Sequence, residues 1–197
     1  MPERESAKSA RHPEVPDEVL VAASRRGDLR AWERVTRRYQ EPAFRAAYLI
    51  TRSTPTAEAA THAAFLRAYR ALPALEEGAP VRPWLIRVVA SEARMQRRED
   101  ARTRNTSRAE MPLASPRLPA TRFAGGSEMN GLTSQERDAL LTAFERIPED
   151  DRLIIASRYL FALSPQEASA ALGVPAESVE ERLRGALALL RTRLGEA

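Results

Sequence analysis

The sequence predicts an all-α protein made of two small helical domains joined by a flexible linker. Apolar residues recur three or four positions apart over 17–98 and again from 133 onward, which is the spacing of amphipathic helices. No segment alternates apolar and polar residues over a convincing length, so no strands are predicted. Prolines, serines and the pair Gly125-Gly126 interrupt the helical pattern between these regions. The chain therefore divides into a disordered tail at 1–16, a first domain at 17–98, a linker at 99–132 and a second domain at 133–197.

The composition excludes several classes of protein. The 197 residues include no cysteine, which rules out a disulfide scaffold, a cysteine-ligated zinc site and a thiol nucleophile. No apolar run approaches the ~20 residues that span a bilayer. The polar stretch from Met1 to Pro16 is also unlike a signal peptide. We therefore expect no membrane insertion and a cytoplasmic location.

Charge is distributed unevenly between the two domains. Lys8 is the one lysine among 31 basic residues, and arginine pairs with phosphate better than lysine does. Residues 14–98 carry 15 arginines against 10 acidic residues, a balance of +5. Residues 135–197 carry 8 arginines against 11 acidic residues, a balance of −3. This asymmetry predicts that the first domain makes most of the contacts with an anionic partner.

Local signals place the helices of the first domain. Asp17 is predicted to be the N-cap of the first helix, and Gly27 to end it. A second helix starts at Asp28, and Pro42 begins or kinks a third stretch. An alanine-rich helix follows, and Trp84 opens a last helix that ends in a basic run.

The second domain contains a helix-turn-helix pattern. A capping box at Thr133–Glu136 starts the domain, and the acids at Glu149–Asp151 favour a helix N-terminus. Ser164–Glu167 supplies an N-cap serine, a proline at the first helical position and a glutamate three residues after the cap. Gly173 ends this short helix, and a longer one starts at Ala176. The arrangement is typical of DNA-binding proteins, although an ordinary αα-hairpin uses the same residue types.

The longer helix of this pattern has few basic residues to offer DNA. Its candidate DNA contacts are Glu177, Ser178, Glu181, Arg182 and Arg184. Glutamate and serine can contact base edges, and arginine can contact guanine or phosphate. Glu180 and Glu181 repel the phosphate backbone, so this helix by itself should bind DNA weakly.

A basic, aromatic surface is predicted on the last helix of the first domain. Its members are Arg82, Trp84, Arg87, Arg94, Arg97 and Arg98. Such arginines can hold phosphates, and an exposed aromatic ring can stack on an unpaired base. The alternative is that Trp84 belongs to the core and the arginines form a solvated surface.

Catalysis and cofactor binding find little support in the sequence. His12 lies in the tail and His62 on the alanine-rich helix, and neither has metal-ligand spacing with nearby carboxylates. No glycine-rich phosphate loop follows a strand, and no base is placed to activate a serine. We therefore expect a non-enzymatic protein with no metal site and no cofactor.

Several segments, taken together and in order, resemble the sigma-70 family of bacterial sigma factors, in its extracytoplasmic-function (ECF) group. In the first domain they are Leu20-Val21-Ala22-Ala23 to Gly27-Asp28 with Trp32, Ala64 to Leu72, and Arg82 to Val88. In the second domain they are Leu163 to Glu167, Leu172 to Val174, and Val179 to Leu183. The resemblance covers about 17–98 and 133–197 in the order and spacing of the family.

The resemblance implies sigma domain 2 followed by sigma domain 4, with RNA polymerase core and promoter DNA as partners. Domain 2 would bind the clamp helices of the polymerase and capture melted bases of the −10 element. Domain 4 would contact the −35 duplex and the polymerase flap. An anti-sigma factor is a further partner that the resemblance allows.

The resemblance also assigns residues to these roles. The −10 residues would be Arg82, Trp84, Arg87, Ser91, Arg94, Arg97 and Arg98. The −35 residues would be Glu177, Ser178, Glu181, Arg182 and Arg184. The polymerase-contacting residues would be Glu58, His62, Phe65 and Arg67.

Some positions depart from the family pattern. The polymerase-binding helix has Thr56, Ala59, His62 and Ala63 where the family usually has acids and a glutamine, and Ser91 and Glu92 stand where it often has asparagine. These departures leave open a sigma-like regulator that binds DNA or polymerase without initiating transcription. An α-helical adaptor that binds only protein is a more distant alternative.

Overall fold

The computed structural model describes residues 15–107, 140, 142–144 and 146–195. Seven α-helices can be bounded there, and no strand occurs within these ranges. They are α1 (Asp17–Arg25), α2 (Leu29–Thr51), α3 (Thr54–Ala71), α4 (Val81–Ser107), α5 (Glu149–Ile155), α6 (Pro165–Leu172) and α7 (Ala176–Gly195). The predicted all-α fold is confirmed. The predicted tail up to residue 14, the linker over 108–132 and the capping box at Thr133 lie outside the described residues.

Helix α1 starts at Asp17, but Asp17 does not cap it as predicted. The N-cap position is Pro16, and no side chain accepts a cap hydrogen bond there. The carboxylate of Asp17 instead accepts hydrogen bonds from Arg38 and from the hydroxyl of Tyr39, both on α2. Burial, followed by the hydrogen bond to Asp17, raises the pKa of Tyr39. Asp17 therefore fastens α1 to α2 rather than initiating α1.

Helix α2 runs unbroken through Pro42, whereas the sequence predicted a new or kinked stretch there. The Asp28 side chain caps the helix by accepting from the backbone N–H groups of Arg30 and Ala31 at 2.9 and 3.1 Å. Proline removes one backbone donor, which weakens a helix locally. Ala43, just after the proline, is completely buried, as are several later residues of α2. We infer that packing of this buried face keeps the helix continuous.

Helices α3 and α4 form the rest of the first domain. Ser53 is the N-cap of α3 and accepts a hydrogen bond from the backbone N–H of Thr56. Helix α4 continues nine residues past Arg98, where the sequence predicted loss of periodicity. Thr56 donates a hydrogen bond to Asp100, which links this extension to the start of α3. The contact joins residues 44 positions apart, so local periodicity could not show it.

The second domain contains the predicted helix-turn-helix. Ser164 and Glu167 form the predicted capping box at the start of α6, with hydrogen bonds of 2.7 and 3.1 Å. Gly173 ends α6 with a φ of 70°, a left-handed conformation that glycine adopts without strain. Ser169 donates to the carbonyl of Val174 at 2.6 Å and fixes the turn before α7. Between α5 and α6, residues Ala156–Leu160 form one turn of π-helix.

The two domains pack against each other and share one apolar core. Phe161 of the second domain is 1% exposed, and its ring stacks on Tyr39 of the first domain with centroids 5.9 Å apart. Leu153, Ile154 and Leu163 belong to the same buried cluster as the residues of α2 and α4. A separate, smaller cluster lies inside the second domain and includes Ile155, Ala186 and Leu190. The sequence predicted both domains but not this contact between them.

Candidate functional site

Helix α4 presents a stripe of polar residues toward the second domain. Arg87, Ser91, Arg94 and Arg98 recur every three or four positions and therefore lie along one side of the helix. All four line a cleft of about 300 Å³ between the domains. The second domain supplies the apolar part of the cleft with Leu153, Ile154, Ala171, Leu172 and Val174. The structure therefore brings together most of the predicted −10 residues, but at a domain interface.

Two of the predicted −10 arginines bind acidic residues at the start of α5. Arg94 donates to Glu149 at 2.7 Å and to Asp150 at 2.9 Å. Arg97 donates to the second carboxylate oxygen of Glu149. Burial alone would raise the pKa of Glu149, but the hydrogen bonds and charges of Arg94 and Arg97 outweigh it and lower the pKa. We call the set formed by Arg94, Arg97, Glu149 and Asp150 the interdomain clasp.

The acids of the clasp were predicted to begin a helix, and they do so. Glu149, Asp150 and Asp151 form the first turn of α5, where the helix dipole favours negative charge. Their ion pairs with α4 span more than 50 positions of sequence, so the sequence offered no local signal for them.

A third predicted −10 residue, Arg82, also contacts the second domain. Its guanidinium donates to the carbonyl of Ala162 at 3.2 Å and to that of Phe161 at 3.5 Å. It also lies 3.9 Å from a carboxylate oxygen of Glu167. The pKa of Glu167 is lowered, chiefly by a hydrogen bond from the backbone N–H of Ser164, with the charge of Arg82 contributing. Arg82 therefore connects α4 to the start of the helix-turn-helix.

The remaining predicted −10 positions differ in exposure. Arg87, Ser91 and Arg98 are exposed. Trp84 is half-buried and packs against the shared core, so it is neither sealed inside the domain nor free in solvent.

Glu92, the residue after Ser91, is buried inside the first domain. It accepts a hydrogen bond from Arg67 of α3 at 2.6 Å, and its side chain is only 4% exposed. The departure at this position thus has a structural consequence, because the carboxylate links α3 to α4 and faces away from solvent.

The predicted −35 residues on α7 fall into two groups. Glu177, Glu181 and Arg184 are exposed, and Ser178 is half-buried. Arg182 instead points toward α5, where it donates to Asp151 at 2.6 Å and lies 3.9 Å from Asp150. Asp150 therefore lies beside both Arg94 of the first domain and Arg182 of the second.

The predicted polymerase-contacting residues do not share one exposed face of α3. His62 is exposed, Glu58 is half-buried, and Arg67 is exposed but paired with Glu92. Phe65 is 8% exposed and its ring contacts Trp32 edge-on at 6.3 Å, so its burial argues against direct contact with a partner.

The exposed face of α3 includes the predicted His62 together with two residues, Leu66 and Arg70, that the sequence analysis did not assign to polymerase contact. Ala59, His62, Leu66 and Arg70 recur at helical spacing and are all exposed. Leu66 is 45% exposed, which is high for a large apolar side chain. The signal was present in the sequence, since these positions lie opposite the buried alanines of α3.

Two further observations concern alternative functions. Within the described ranges, no group of three or more histidine or acidic side chains could hold a metal ion. In the same part of the chain, no helix is both long enough and apolar enough to cross a membrane.

Comparison with protein families identifies both domains. The model for sigma-70 region 2 matches residues 35–103, and the model for sigma-70 region 4 matches residues 137–190. Together they match more than half of the chain, which therefore belongs to the sigma-70 family of transcription initiation factors. Its relatives place it in the ECF group, and such a sigma factor directs RNA polymerase core to promoter DNA. Factors of this family are not enzymes.

The relatives are similar over most of the chain. The ECF RNA polymerase sigma-E factor of Escherichia coli (strain K12) is 27% identical over 177 residues, which cover 85% of this chain and 88% of that protein. The ECF RNA polymerase sigma-E factor of Salmonella typhimurium (strain LT2) is 26% identical with the same coverage.

Two solved structures have the same fold. CnrH in complex with the cytosolic domain of CnrY aligns with a TM-score of 0.64 and 22% identity, covering 91% of this chain and 97% of that one. The sigma factor RpoE in complex with the anti-sigma factor NepR, from Bartonella quintana, aligns with a TM-score of 0.59 and 19% identity, covering 90% and 92%.

Proposed function

We propose that the polar stripe of α4 captures the separated −10 strand and thereby promotes DNA opening. The observation that carries this proposal is the row of Arg87, Ser91, Arg94 and Arg98 along one side of the helix. Arginines spaced along a helix can follow a phosphate backbone, and Ser91 offers a hydroxyl to a base. Half-buried Trp84 is close enough to solvent for part of its ring to stack on an unpaired base. Arg82, Arg94 and Arg97 become available to DNA only when they leave their partners in the second domain.

We propose that the exposed side of α7 contacts the −35 duplex. Glu177, Glu181 and Arg184 are exposed there, with Ser178 beside them. The acids repel phosphate, so the affinity of this surface for duplex DNA depends on simultaneous binding of the first domain to the same DNA. Arg182 joins this surface only if it leaves Asp151.

We propose that α3 contacts the clamp helices of the polymerase through its exposed face. His62 belongs to that face, and the exposed apolar side chain of Leu66 supplies area that a protein partner can bury. Glu58 lies at its edge, whereas Phe65 is buried in the domain and the exposed Arg67 is paired with Glu92. The second domain would contact the polymerase flap.

Other features of the function follow from the family. Phosphodiester synthesis would belong to the polymerase, with this chain acting in the cytoplasm without metal or cofactor. An anti-sigma factor would be a further partner, because both structural neighbours are complexes and the RpoE complex contains one by name.

The decisive experiment is transcription by core polymerase and the purified protein from a library of promoters with randomised sequence. We expect enrichment of templates that share two spaced elements, and thymines near the start site that react with permanganate. Binding to core without reactive thymines would favour the sigma-like regulator that does not initiate. Failure to bind core at every salt concentration would falsify the assignment of the α3 face.

Variants of α4 separate promoter opening from polymerase binding. We expect Arg87→Gln to slow permanganate-detected opening about tenfold, since it removes one exposed phosphate contact, while core affinity stays unchanged. Arg34→Gln, an exposed arginine on α2, is the matched control. Trp84→Ala should also impair opening more than core binding. If Trp84→Ala instead unfolds the first domain, its role as a base platform is lost while the Arg87 result still stands.

Variants of α7 test the −35 contact. We expect Arg184→Gln to reduce transcription from promoters that need the −35 element by about tenfold and to change core binding little. Arg191→Gln, exposed two turns further along the same helix, is the control. Equal effects of both variants would show a general charge effect instead of a specific contact.

A further inference from the structure

We propose that Met95 of α4 inserts between neighbouring bases of the −10 element and unstacks them, so that it helps to separate the strands. This inference rests on the proposed function of α4 as the −10 surface and deepens it. It divides that surface into side chains that hold the strand backbone and side chains that contact bases. Met95 is absent from the predicted −10 residues, which are mostly arginines.

The first observation is that Met95 lies on the solvent side of α4. Its side chain is 49% exposed, whereas Leu85 and Val89 of the same helix are completely buried. Single exposed apolar residues are normal on protein surfaces and indicate nothing by themselves. Met95 differs because two further apolar side chains of α4 lie in line with it.

These side chains form an apolar row beside the polar stripe. A helix turns by about 100° per residue, so Val88 and Met95 lie within about 40° of Trp84 around the helix axis. Met95 is exposed, and the other two are half-buried. We call Trp84, Val88 and Met95 the apolar row. None of its members lines the cleft between the domains, so the row lies next to the cleft and outside it.

Positive charge next to this row comes from Arg87 and Arg98. Both arginines are exposed and line the cleft, and they lie about 60–80° from Met95 around the helix axis. Glu99 is exposed on the other flank of Met95, where its carboxylate repels phosphate. A strand whose phosphates follow the arginines therefore directs its bases toward the apolar row.

The chemistry of methionine suits insertion between bases. The side chain is unbranched and flexible, and its polarizable sulfur makes favourable contacts with aromatic rings. Proteins that unstack a duplex insert apolar side chains of this kind, methionine included, between base steps. Met95 follows Trp84 by about 17 Å along the helix axis, whereas stacked neighbouring bases are about 3.4 Å apart. The two side chains therefore contact different bases, and Met95 acts at a step that Trp84 does not reach.

The experiment compares two templates with core polymerase and the full-length protein. One template is a duplex promoter enriched from the randomised library. The other is the same promoter with mismatched strands across the −10 element, so that its bases are already unpaired. Permanganate reactivity measures opening, and core binding is measured separately.

The variants separate apolar insertion from a general loss of surface. Met95→Ala is the test variant, and Met95→Leu retains a large apolar side chain. The matched control is Leu29→Ala, which removes a side chain that is 65% exposed on α2, away from the apolar row.

We expect Met95→Ala to reduce opening of the duplex promoter about tenfold, because the side chain no longer offsets the cost of unstacking. On the mismatched template the same variant should stay within about twofold of the unsubstituted protein, since that cost is already met. Met95→Leu should recover most of the activity on the duplex. Leu29→Ala should leave opening unchanged on both templates.

Two results would overturn the inference. Unchanged opening of the duplex by Met95→Ala would mean that the side chain does not act on the bases. Equal losses on the duplex and on the mismatched template would mean that Met95 holds the strand without unstacking it.

Arg87→Gln distinguishes failure of this inference from failure of the proposed function. A phosphate contact is used on either template, so Arg87→Gln should impair opening of the duplex and transcription from the mismatched template alike. If Arg87→Gln does so while Met95→Ala behaves as the unsubstituted protein, only the role of Met95 is wrong. If Arg87→Gln has no effect on either template, or the unsubstituted protein opens no duplex, the assignment of α4 fails and the role of Met95 fails with it.

Discussion

The two domains differ in how they bury their apolar residues. The first domain supplies most of the shared core, in which Val35 and Ile50 of α2 and Leu85 of α4 are completely buried. The second domain has a small cluster of its own, and it buries Phe161 and Leu163 in the core that it shares with the first. Small domains bury a smaller fraction of their surface and are correspondingly less stable. The comparison teaches that the second domain depends on docking for part of its stability.

The domains also differ in net charge, and this difference determines which surfaces of the two domains face each other. The excess of arginine in the first domain faces the excess of acid in the second at the interdomain clasp. We expect this contact to be released when both domains bind one promoter, because each proposed DNA-binding surface includes an arginine that the contact occupies. Apolar stacking and screened ion pairs together give a contact that a large partner can replace.

The largest expected effect comes from removing the ring that joins the two domains. Phe161→Ala should reduce the free energy of unfolding of the second domain by about 3–5 kcal/mol, because a completely buried ring leaves a cavity. Both tryptophans, Trp32 and Trp84, lie in the first domain. In urea titrations, the unfolding midpoint reported by tryptophan fluorescence should therefore shift less than the midpoint reported by circular dichroism.

Tyr159→Ala is the control for this substitution. Its side chain is 62% exposed. The free energy of unfolding obtained from either probe should therefore stay within about 0.5 kcal/mol of that of the unsubstituted protein. If fluorescence and circular dichroism reported equal losses in the free energy of unfolding for Phe161→Ala, the two domains would unfold as one unit. That result would contradict the difference in stability between the domains.

A smaller effect is expected inside the helix-turn-helix, where two glycines have opposite roles. Gly173 has a φ of 70°, so Gly173→Ala should cost about 1 kcal/mol even though the added methyl group meets no atom. Gly185 lies within α7 with open space around it, so Gly185→Ala should stabilise the domain by about 0.5–1 kcal/mol. Thermal unfolding of both variants measures the contrast. A loss from both would mean that the methyl group itself is not tolerated.

Acid should weaken the charged part of the domain contact. The pKa of Glu149 is lowered in the folded protein. Its contribution to the free energy of unfolding is therefore complete above the pKa of the unfolded chain, about 4.3, and is lost as the pH falls through the pKa of the folded protein. We expect Glu149→Gln to lower the free energy of unfolding by about 0.5–1 kcal/mol at pH 7 and progressively less below about pH 4.3. Urea titrations across this range check the trend. If the difference in the free energy of unfolding between Glu149→Gln and the unsubstituted protein grew as the pH fell, this prediction would be wrong.

The smallest expected effect lies in the loop that contacts Arg82. Ala162 has a φ of 50°, a left-handed conformation that is strained for alanine. Ala162→Gly should raise the free energy of unfolding by about 0.5 kcal/mol, because relief of strain exceeds the added flexibility of the unfolded chain. The carbonyl that accepts from Arg82 is retained. Calorimetry can detect the shift, and a loss above about 1 kcal/mol would show that the methyl group stabilises the loop.

Local sequence signals accounted for much of the second domain. Ser164, Glu167 and Gly173 define the start and end of α6 through hydrogen bonds and backbone freedom within a few residues. Such signals fail where distant groups compete. Asp17 binds α2 instead of capping its own helix, and Pro42 lies inside α2 because the face around it is buried.

The sequence by itself determined the helical class, the order of the two domains, the helix-turn-helix and the position of the arginines along α4. Only the tertiary structure decided that Arg94 and Arg97 bind Glu149, that Arg182 turns toward Asp151, and that Phe161 completes a core shared with Tyr39. The physical reason is the separation along the sequence over which each kind of interaction acts. Helix propensity and capping act over a few residues of chain, whereas ion pairs and apolar burial join whichever groups the fold brings into contact.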